Sequence, residues 1–211
     1  MKILNLYACL GGNRYKWGNE HDITAVEWDE ELARLYQERF PSDKVIVADA
    51  HQYLLDHYKE YDFIWSSPPC PTHSRFNVSM KTKRKMKYPD MALYQEIIFL
   101  QYYYEGKYVV ENVIPYYDLL IQGNKRNRHI YWTNFNLPHI LSKRKNPDLG
   151  RTKNVVNALS KFHDYDFRKY KGKQSIQKVA RNLVDYEAGK TILDTVMGLR
   201  IKQNVNQTEL F

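Results

Sequence analysis

Cysteine is scarce in this chain. The two present, Cys9 and Cys70, cannot build a disulfide framework and instead suit a reducing compartment. Long apolar runs are missing too: no stretch approaches the roughly 20 apolar residues that span a bilayer. The opening MKILNLYACLGG is apolar for too short a run to be a secretory signal. No internal repeat is visible. These absences point to a soluble cytoplasmic protein. Acidic residues are outnumbered, 24 against 32 Lys and Arg, for a formal net charge of +8. That balance favours a polyanionic partner, although a generally basic, soluble surface gives the same number. A length of 211 residues suits one domain with a small appendage and can bury a core.

The pattern along the chain is one of alternating strands and helices. Ile3–Ala8 is a short apolar strand entering the Gly11–Gly12 turn. Ile23–Val26 is a second strand. Asp29–Arg39 has helical spacing, with Asp29 as N-cap and Pro41 beyond the end. Val45–Val47, Phe63–Ser66, Tyr108–Val110 and Ile130–Thr133 read as further strands. Gln52–Tyr58, Ala92–Tyr104 and Tyr186–Val196 read as helices. This alternation predicts an α/β protein with a parallel sheet and helices on both faces. Two stretches break it: the basic segment Asn77–Asp90, and Phe135–Lys178, which is irregular with some helical character around Val155–Phe162. From Lys202 the tail is polar and reads as flexible.

Chemistry-bearing residues gather at predicted strand ends, where open α/β sheets place their ligands. Tyr61–Pro71 reads as an apolar strand stopping at a rigid Pro-Pro corner with Cys70 at its tip. A proline-rich turn with a small buried thiol fits the same pattern. Gly11–Gly12 after the first strand lets a ligand approach the backbone closely. Glu27 ends the second strand and suits a ribose; Trp28 could stack on a base; Asp49 ends the third and could accept from an exocyclic amino group. Together these suggest a nucleoside-containing cofactor. Glu111, after the Tyr108–Val110 strand, belongs to the same sheet edge as Cys70. A thiol and a carboxyl group there form a candidate nucleophile and general acid.

In this order the chain resembles the DNA (cytosine-5) methyltransferase family. Leu6–Gly12 is similar to the family's first motif, and Glu27–Trp28 and Asp49 to its second and third. Ser67–Pro68–Pro69–Cys70 resembles the catalytic Pro-Cys motif, Glu111–Asn112–Val113 the Glu-Asn-Val motif, and Asn124–Arg128 the Gln-x-Arg-x-Arg motif. Arg181–Asn182–Leu183–Val184 is similar to the closing Gly-Asn-x-Val motif. The chain departs from the family at Cys9, Pro71, Asn124 and Arg181, which stand where Gly, Gln, Gln and Gly are usual.

The resemblance implies a Rossmann-like S-adenosylmethionine-dependent methyltransferase. Its core would be residues 1–133, with a reduced target-recognition region at 134–178, a closing helix at 179–200 and a flexible tail at 201–211. It implies that Cys70 adds to carbon 6 of a flipped-out cytosine, that Glu111 protonates ring nitrogen 3, and that carbon 5 takes the methyl group. Asn112 would support the Pro-Cys turn, Arg128 would contact the base carbonyl, and Arg126 would assist there or at a phosphate. Tyr7, Gly11, Gly12, Glu27, Trp28, Asp49 and Pro68 would hold the cofactor; no metal is expected.

Lys81, Lys83, Arg84, Lys85 and Lys87 would close over DNA phosphates and favour the Cys70 thiolate. Asn134, Arg144, Lys145, Arg151, Lys153, Arg168, Lys169, Lys171 and Lys173 would meet double-stranded DNA, as base readers or phosphate anchors alike. Gln207, Leu210 and Phe211 are similar to the Gln-x-x-Leu-Phe peptide that docks on bacterial sliding clamps. The chain is expected to act as a monomer, in a bacterial cell or phage-infected host. An RNA cytosine-5 methyltransferase and a catalytically weak DNA-binding relative remain alternatives.

Overall fold

The computed structural model describes residues 1–79, 85–145, 147 and 154–199. Lys81, Lys83, Arg84, Arg151, Lys153 and the Gln207, Leu210, Phe211 peptide lie outside the described residues. In chain order the structure runs β1 (Lys2–Leu6), a 3-10 turn (Asn13–Lys16), β2 (Asp22–Glu27), α1 (Glu30–Arg39), β3 (Lys44–Val47), α2 (Ala50–His57) and β4 (Phe63–Ser66). It continues with α3 (Arg75–Ser79), α4 (Ala92–Tyr103), β5 (Lys107–Val113), β6 (Asn124–Arg126), β7 (His129–Thr133), α5 (Val155–His163), a 3-10 turn (Phe167–Lys169), α6 (Ile176–Asn182) and α7 (Tyr186–Val196).

The strands form one seven-stranded sheet in the order β3-β2-β1-β4-β5-β7-β6. The first five in chain order run parallel, as the alternation of strands and helices predicts. The expected all-parallel sheet gains an antiparallel hairpin: β7 pairs antiparallel with both β5 and β6. The two-residue connection Asn127–Arg128 leaves no room for a crossover helix, so reversal is forced there. Asn127 takes the left-handed conformation (φ 52°) that such turns demand and asparagine tolerates.

Strand residues alternate between two cores. Leu4, Leu6, Ile64 and Val110 face one side, against Leu54 of α2 and Leu93, Ile97 and Leu100 of α4. Ile3, Ile23, Phe63, Trp65 and Val109 face the other, against Trp17 and against Ala188, Ile192 and Leu193 of α7. Helices therefore cover both faces, as expected for a buried parallel sheet. Helix α7 approaches closely because Gly189 has no side chain: a Cβ there would lie 2.1 Å from the Asn13 carbonyl oxygen.

Within the segment read as irregular, the structure forms α5, the Phe167–Lys169 turn and the start of α6. Leu159 of α5, Phe167, Tyr170 and Val179 of α6 pack on Leu10 and on Leu32 and Leu35 of α1. Asp29 caps α1 by accepting from the Glu31 and Leu32 amides, and its other oxygen accepts from Tyr170 Oη at 2.8 Å. One capping residue thus fixes both a helix start and the position of the α5–α6 layer. Among the described residues no helix is long and apolar enough to cross a membrane.

Candidate active site

Two strand ends build the chemical centre. Strand β4 runs into Ser67–Pro68–Pro69–Cys70, and the neighbouring parallel β5 carries Glu111 and Asn112, with Ser66 opposite Val110. Asn112, buried, donates from Nδ2 to the Pro68 carbonyl at 2.9 Å and accepts the Val113 amide at 2.9 Å. It locks the Pro-Pro corner to the strand beside it. After the corner the chain coils: the Cys70 carbonyl accepts from the His73 and Ser74 amides at 3.1 and 3.0 Å. Ser74 then bridges to Pro115, beyond β5. Cys70 is half-buried as a result.

Cys70, Glu111, Asn112, Arg126 and Arg128 all line one cleft of about 1050 Å³, together with Tyr7, Gly12, Glu27, Trp28 and Pro68. Sites for drug-sized ligands span about 300–1,000 Å³, so there is room for more than a single small group.

The charges in the cleft act on the thiol in both directions. Burial and the neighbouring Glu111 charge push the Cys70 thiol up to about 11. Of the side chains around it, Lys178 of α6 pulls the other way. The Lys81–Lys87 run was expected to favour thiolate. Its described members, Lys85 and Lys87, do not line the cleft. Lys87 instead pairs through its backbone with the buried Asn77 side chain: its amide donates to Oδ1 at 3.1 Å and its carbonyl accepts from Nδ2 at 2.7 Å.

The other half of the cleft is built at β1 and β2. Tyr7 and Cys9 both adopt left-handed backbone, φ 57° and 47°, in the turn leaving β1. Glu27, 5% exposed, steadies that turn by accepting from the Cys9 amide at 2.8 Å and the Asp29 amide at 3.0 Å. Burial raises its carboxyl above the usual range, against those hydrogen bonds. Trp28 is 75% exposed beside it, an indole face presented to the opening. Asn5, buried on the cleft wall, accepts from Asn13 at 2.8 Å while its own Nδ2 has no partner among the described residues. Gly12 lets Leu183–Val184 lie against the turn: a Cβ there would sit 2.4 Å from the Val184 carbonyl oxygen.

Several of the residues singled out from the sequence have other partners. Gly11 (φ 66°) packs on Phe40 and Tyr36 rather than lining the cleft. Asp49 caps α2, accepting from the Gln52 amide at 2.8 Å, and also lies outside the cleft lining. Arg126 was expected to assist the base or bind a phosphate. Its guanidinium instead donates to the carbonyls of Pro138, Leu137 and Lys125 at 2.6, 2.9 and 2.9 Å.

Arg144 was expected to meet DNA, and here its side chain is occupied within the protein. Its guanidinium pairs with Asp185 at 2.8 Å, donates to the Phe162 carbonyl, and lies 3.9 Å from the ring centres of both Phe162 and Tyr186. A guanidinium with its edges bonded and its faces stacked has little left for a phosphate. Asn134, Arg168 and Lys169 are likewise engaged, with Gly106 and Tyr108, with Asp166, and with Glu38. Lys145 is exposed and outside the cleft lining. Arg128, by contrast, is exposed on the cleft and its side chain has no partner among the described residues.

Several groups escaped sequence reading. Glu96 of α4, wholly buried, accepts from Tyr7 Oη at 2.5 Å and Ser66 Oγ at 2.6 Å, with His51 Nδ1 at 3.0 Å. It ties the ends of β1 and β4 together beneath the cleft. Glu96 falls on the Leu93–Ile97–Leu100 side of its helix, a displaced polar residue that could have flagged it. His129, 3.4 Å from Glu111, and Lys178 carried no such signal.

A DNMT2 mutant from Spodoptera frugiperda is 25% identical over 53% of this chain and 35% of its own length, with a TM-score of 0.41. A putative DNA modification methyltransferase encoded within an E. coli prophage is 17% identical over 56% of this chain and 33% of its own, TM-score 0.39. A hypothetical protein of Thermus thermophilus is 16% identical over 63% of this chain and 73% of its own, TM-score 0.44. The chain therefore spans about a third of the length of the first two. No curated protein matches it. The sequence profile described as C-5 cytosine-specific DNA methylase matches residues 1–136. That match covers the turn after β1, the Pro-Pro-Cys corner, Glu111–Asn112 and the β6–β7 hairpin, so the chain belongs to the C-5 cytosine-specific DNA methylase family.

Proposed function

We propose that this protein methylates carbon 5 of cytosine in DNA through a covalent Cys70 adduct on a flipped-out base. One observation carries the reading. Cys70 and Glu111 lie at the ends of adjacent parallel strands, on one cleft, with Asn112 bonding the corner that presents the thiol.

Family membership implies S-adenosylmethionine as the methyl donor. The residues present fit it: an unpartnered Asn5 amide, the buried Glu27 carboxyl and an open Trp28 face share one cleft wall. Glu27 would accept from ribose hydroxyls, Trp28 would stack on the adenine and Asn5 would donate to a polar group. When bound, the cofactor supplies an electrophilic methyl group to carbon 5 of the pyrimidine.

The protein's own residues do the rest. Cytosine's ring carbons are out of reach inside a duplex, so the base is extruded at a cost of a few kcal/mol. Cys70 Sγ forms a bond to carbon 6, and the ring's π electrons shift toward carbon 5. Glu111 gives its proton to ring nitrogen 3, which takes up the charge. Loss of the carbon 5 proton to water in the cleft expels Sγ, and N3 returns its proton to Glu111, which restores the aromatic ring. Burial and the Glu111 charge push the thiol up, so its S–H proton must pass to water in the open cleft as Sγ bonds to carbon 6. Arg128, without a side-chain partner among the described residues, would meet the base or its phosphate.

The test is adduct formation on DNA and RNA oligonucleotides of matched sequence carrying 5-fluorocytosine, with S-adenosylmethionine present. A stable adduct on DNA, abolished by Cys70→Ala with cofactor affinity retained, is the expected result. Glu27→Ala should weaken cofactor binding instead. Adducts on RNA alone would overturn the substrate, and an adduct surviving Cys70→Ala would overturn the mechanism.

A further inference from the structure

We propose that His129 is a positioning residue that stores, on Nε2, the proton Glu111 delivers to the extruded pyrimidine. This rests on the cytosine-methylation reading above. His129 opens β7, opposite Val113 of β5 and Arg126 of β6. Its Nε2 lies 3.4 Å from Glu111 Oε1. The histidine side chain is 38% exposed and that of Glu111 only 9%, so the imidazole exchanges protons with water more readily than the acid does. Both line the cleft that holds Cys70.

Four titratable or charged groups face this pair: the Cys70 thiol and the Tyr131 hydroxyl, both pushed up by burial and the Glu111 charge, and the Arg126 and Arg128 guanidiniums. Arg126, in register with His129, spends its guanidinium on the carbonyls of Leu137, Pro138 and Lys125. Arg128 precedes it in the turn, and the Tyr131 ring meets it edge-on at 6.4 Å. Among the described residues Glu111 is the one carboxylate within ion-pair reach of His129.

The chemistry explains why a partner is wanted. In water imidazole keeps its proton to about two pH units above a carboxyl group. A solitary carboxyl group is ionised near neutrality and has no proton to give. In the pair, the His129 Nε2–H bond breaks as a Glu111 Oε1–H bond forms, and imidazolium becomes imidazole. The Oε1–H bond then breaks as the ring N3–H bond forms. When Cys70 departs, N3 returns the proton by the same route, and the pair ends each turnover as it began.

The experiment compares wild type, His129→Phe, His129→Gln and His129→Ala in methyl transfer to a DNA oligonucleotide across pH. Circular dichroism and DNA affinity serve as controls for folding. His129→Phe and His129→Gln should lower kcat by ~10-fold or more near neutrality, within the range of general-acid effects. KM should stay within about twofold, since ground-state binding is untouched. The alkaline limb of the rate profile should move down by about one pH unit or more. Added imidazole should restore part of the His129→Ala rate. A folded His129→Gln with wild-type kcat and an unmoved alkaline limb would overturn the inference alone. An inactive wild type would overturn the methylation reading and this inference with it.

Discussion

Cys9 occupies a backbone conformation (φ 47°) that costs an L-residue about 1–2 kcal/mol and that glycine adopts freely. Its amide is held by Glu27, so the strain is fixed by the residue proposed to grip the cofactor. The two thiols are both buried enough to resist ionisation, but to different ends. Cys9 is pushed up chiefly by desolvation, within the α1 layer; Cys70 is pushed up to about 11 by desolvation and Glu111, in an open cleft. A raised thiol pKa means the neutral form dominates at neutral pH and thiolate appears only as pH climbs. Alkylation of Cys70 by iodoacetamide, read against a Cys70→Ser background, should keep accelerating well past the free-thiol range of about 8.5. A rate that levels off by that pH would show the thiol is not perturbed as described.

Among the elements, α7 shows packing overriding propensity. Gly189 sits in a helix interior, where alanine is favoured by about 0.8–1 kcal/mol. Yet a Cβ would strike the Asn13 backbone, not a pliable side chain. Gly189→Ala should destabilise the protein by roughly 1–3 kcal/mol despite the better helix former, the usual scale of overpacking. Urea denaturation reads this directly, and an unchanged or raised midpoint would contradict the close approach. Such contacts mark what sequence could and could not reveal. Phe63–Ser66, Tyr186–Val196 and Asp29 as a cap were legible because hydrophobic period and local capping chemistry are written in neighbouring residues. Strand β6, Asn124–Lys125–Arg126, was not, because it has no apolar residue and exists only by pairing with β7. Helix α6 was missed although Ile176, Val179, Ala180 and Leu183 have helical spacing, because its 7 residues are too short a window for the period to stand out. At the site, Cys70, Glu111 and Asn112 were readable as motifs. Arg126 and Arg144 looked like free cations because most of the carbonyls and rings that occupy them are far away along the chain, Pro138 and Leu137 for one, Phe162 and Tyr186 for the other.

For the molecule as a whole, charge is the dominant surface property, with a formal net +8. A protein of this sign that neutralises phosphates releases counterions, and each contact adds about −0.9 to the slope of log K against log salt. Binding to duplex DNA should therefore weaken steeply as salt rises, with a slope of several contacts, and Arg128→Ala should flatten it by about one. An affinity indifferent to salt would remove DNA as the polyanion. Stability leans on a different charge. Arg14 and Asp43, 2% and 1% exposed, pair at 2.8 Å and join the 3-10 turn after β1 to the segment before β3. Arg14→Met would strand Asp43 without its cation and should cost about 3–5 kcal/mol by urea unfolding.

The β6 edge has one more effect. At three residues, reading Asn-Lys-Arg, it is the outermost rung of a seven-stranded ladder. A rung so brief and so cationic offers a poor template to a foreign strand. At high concentration this border would repel its own kind, keeping crowded copies from stitching together into fibrils.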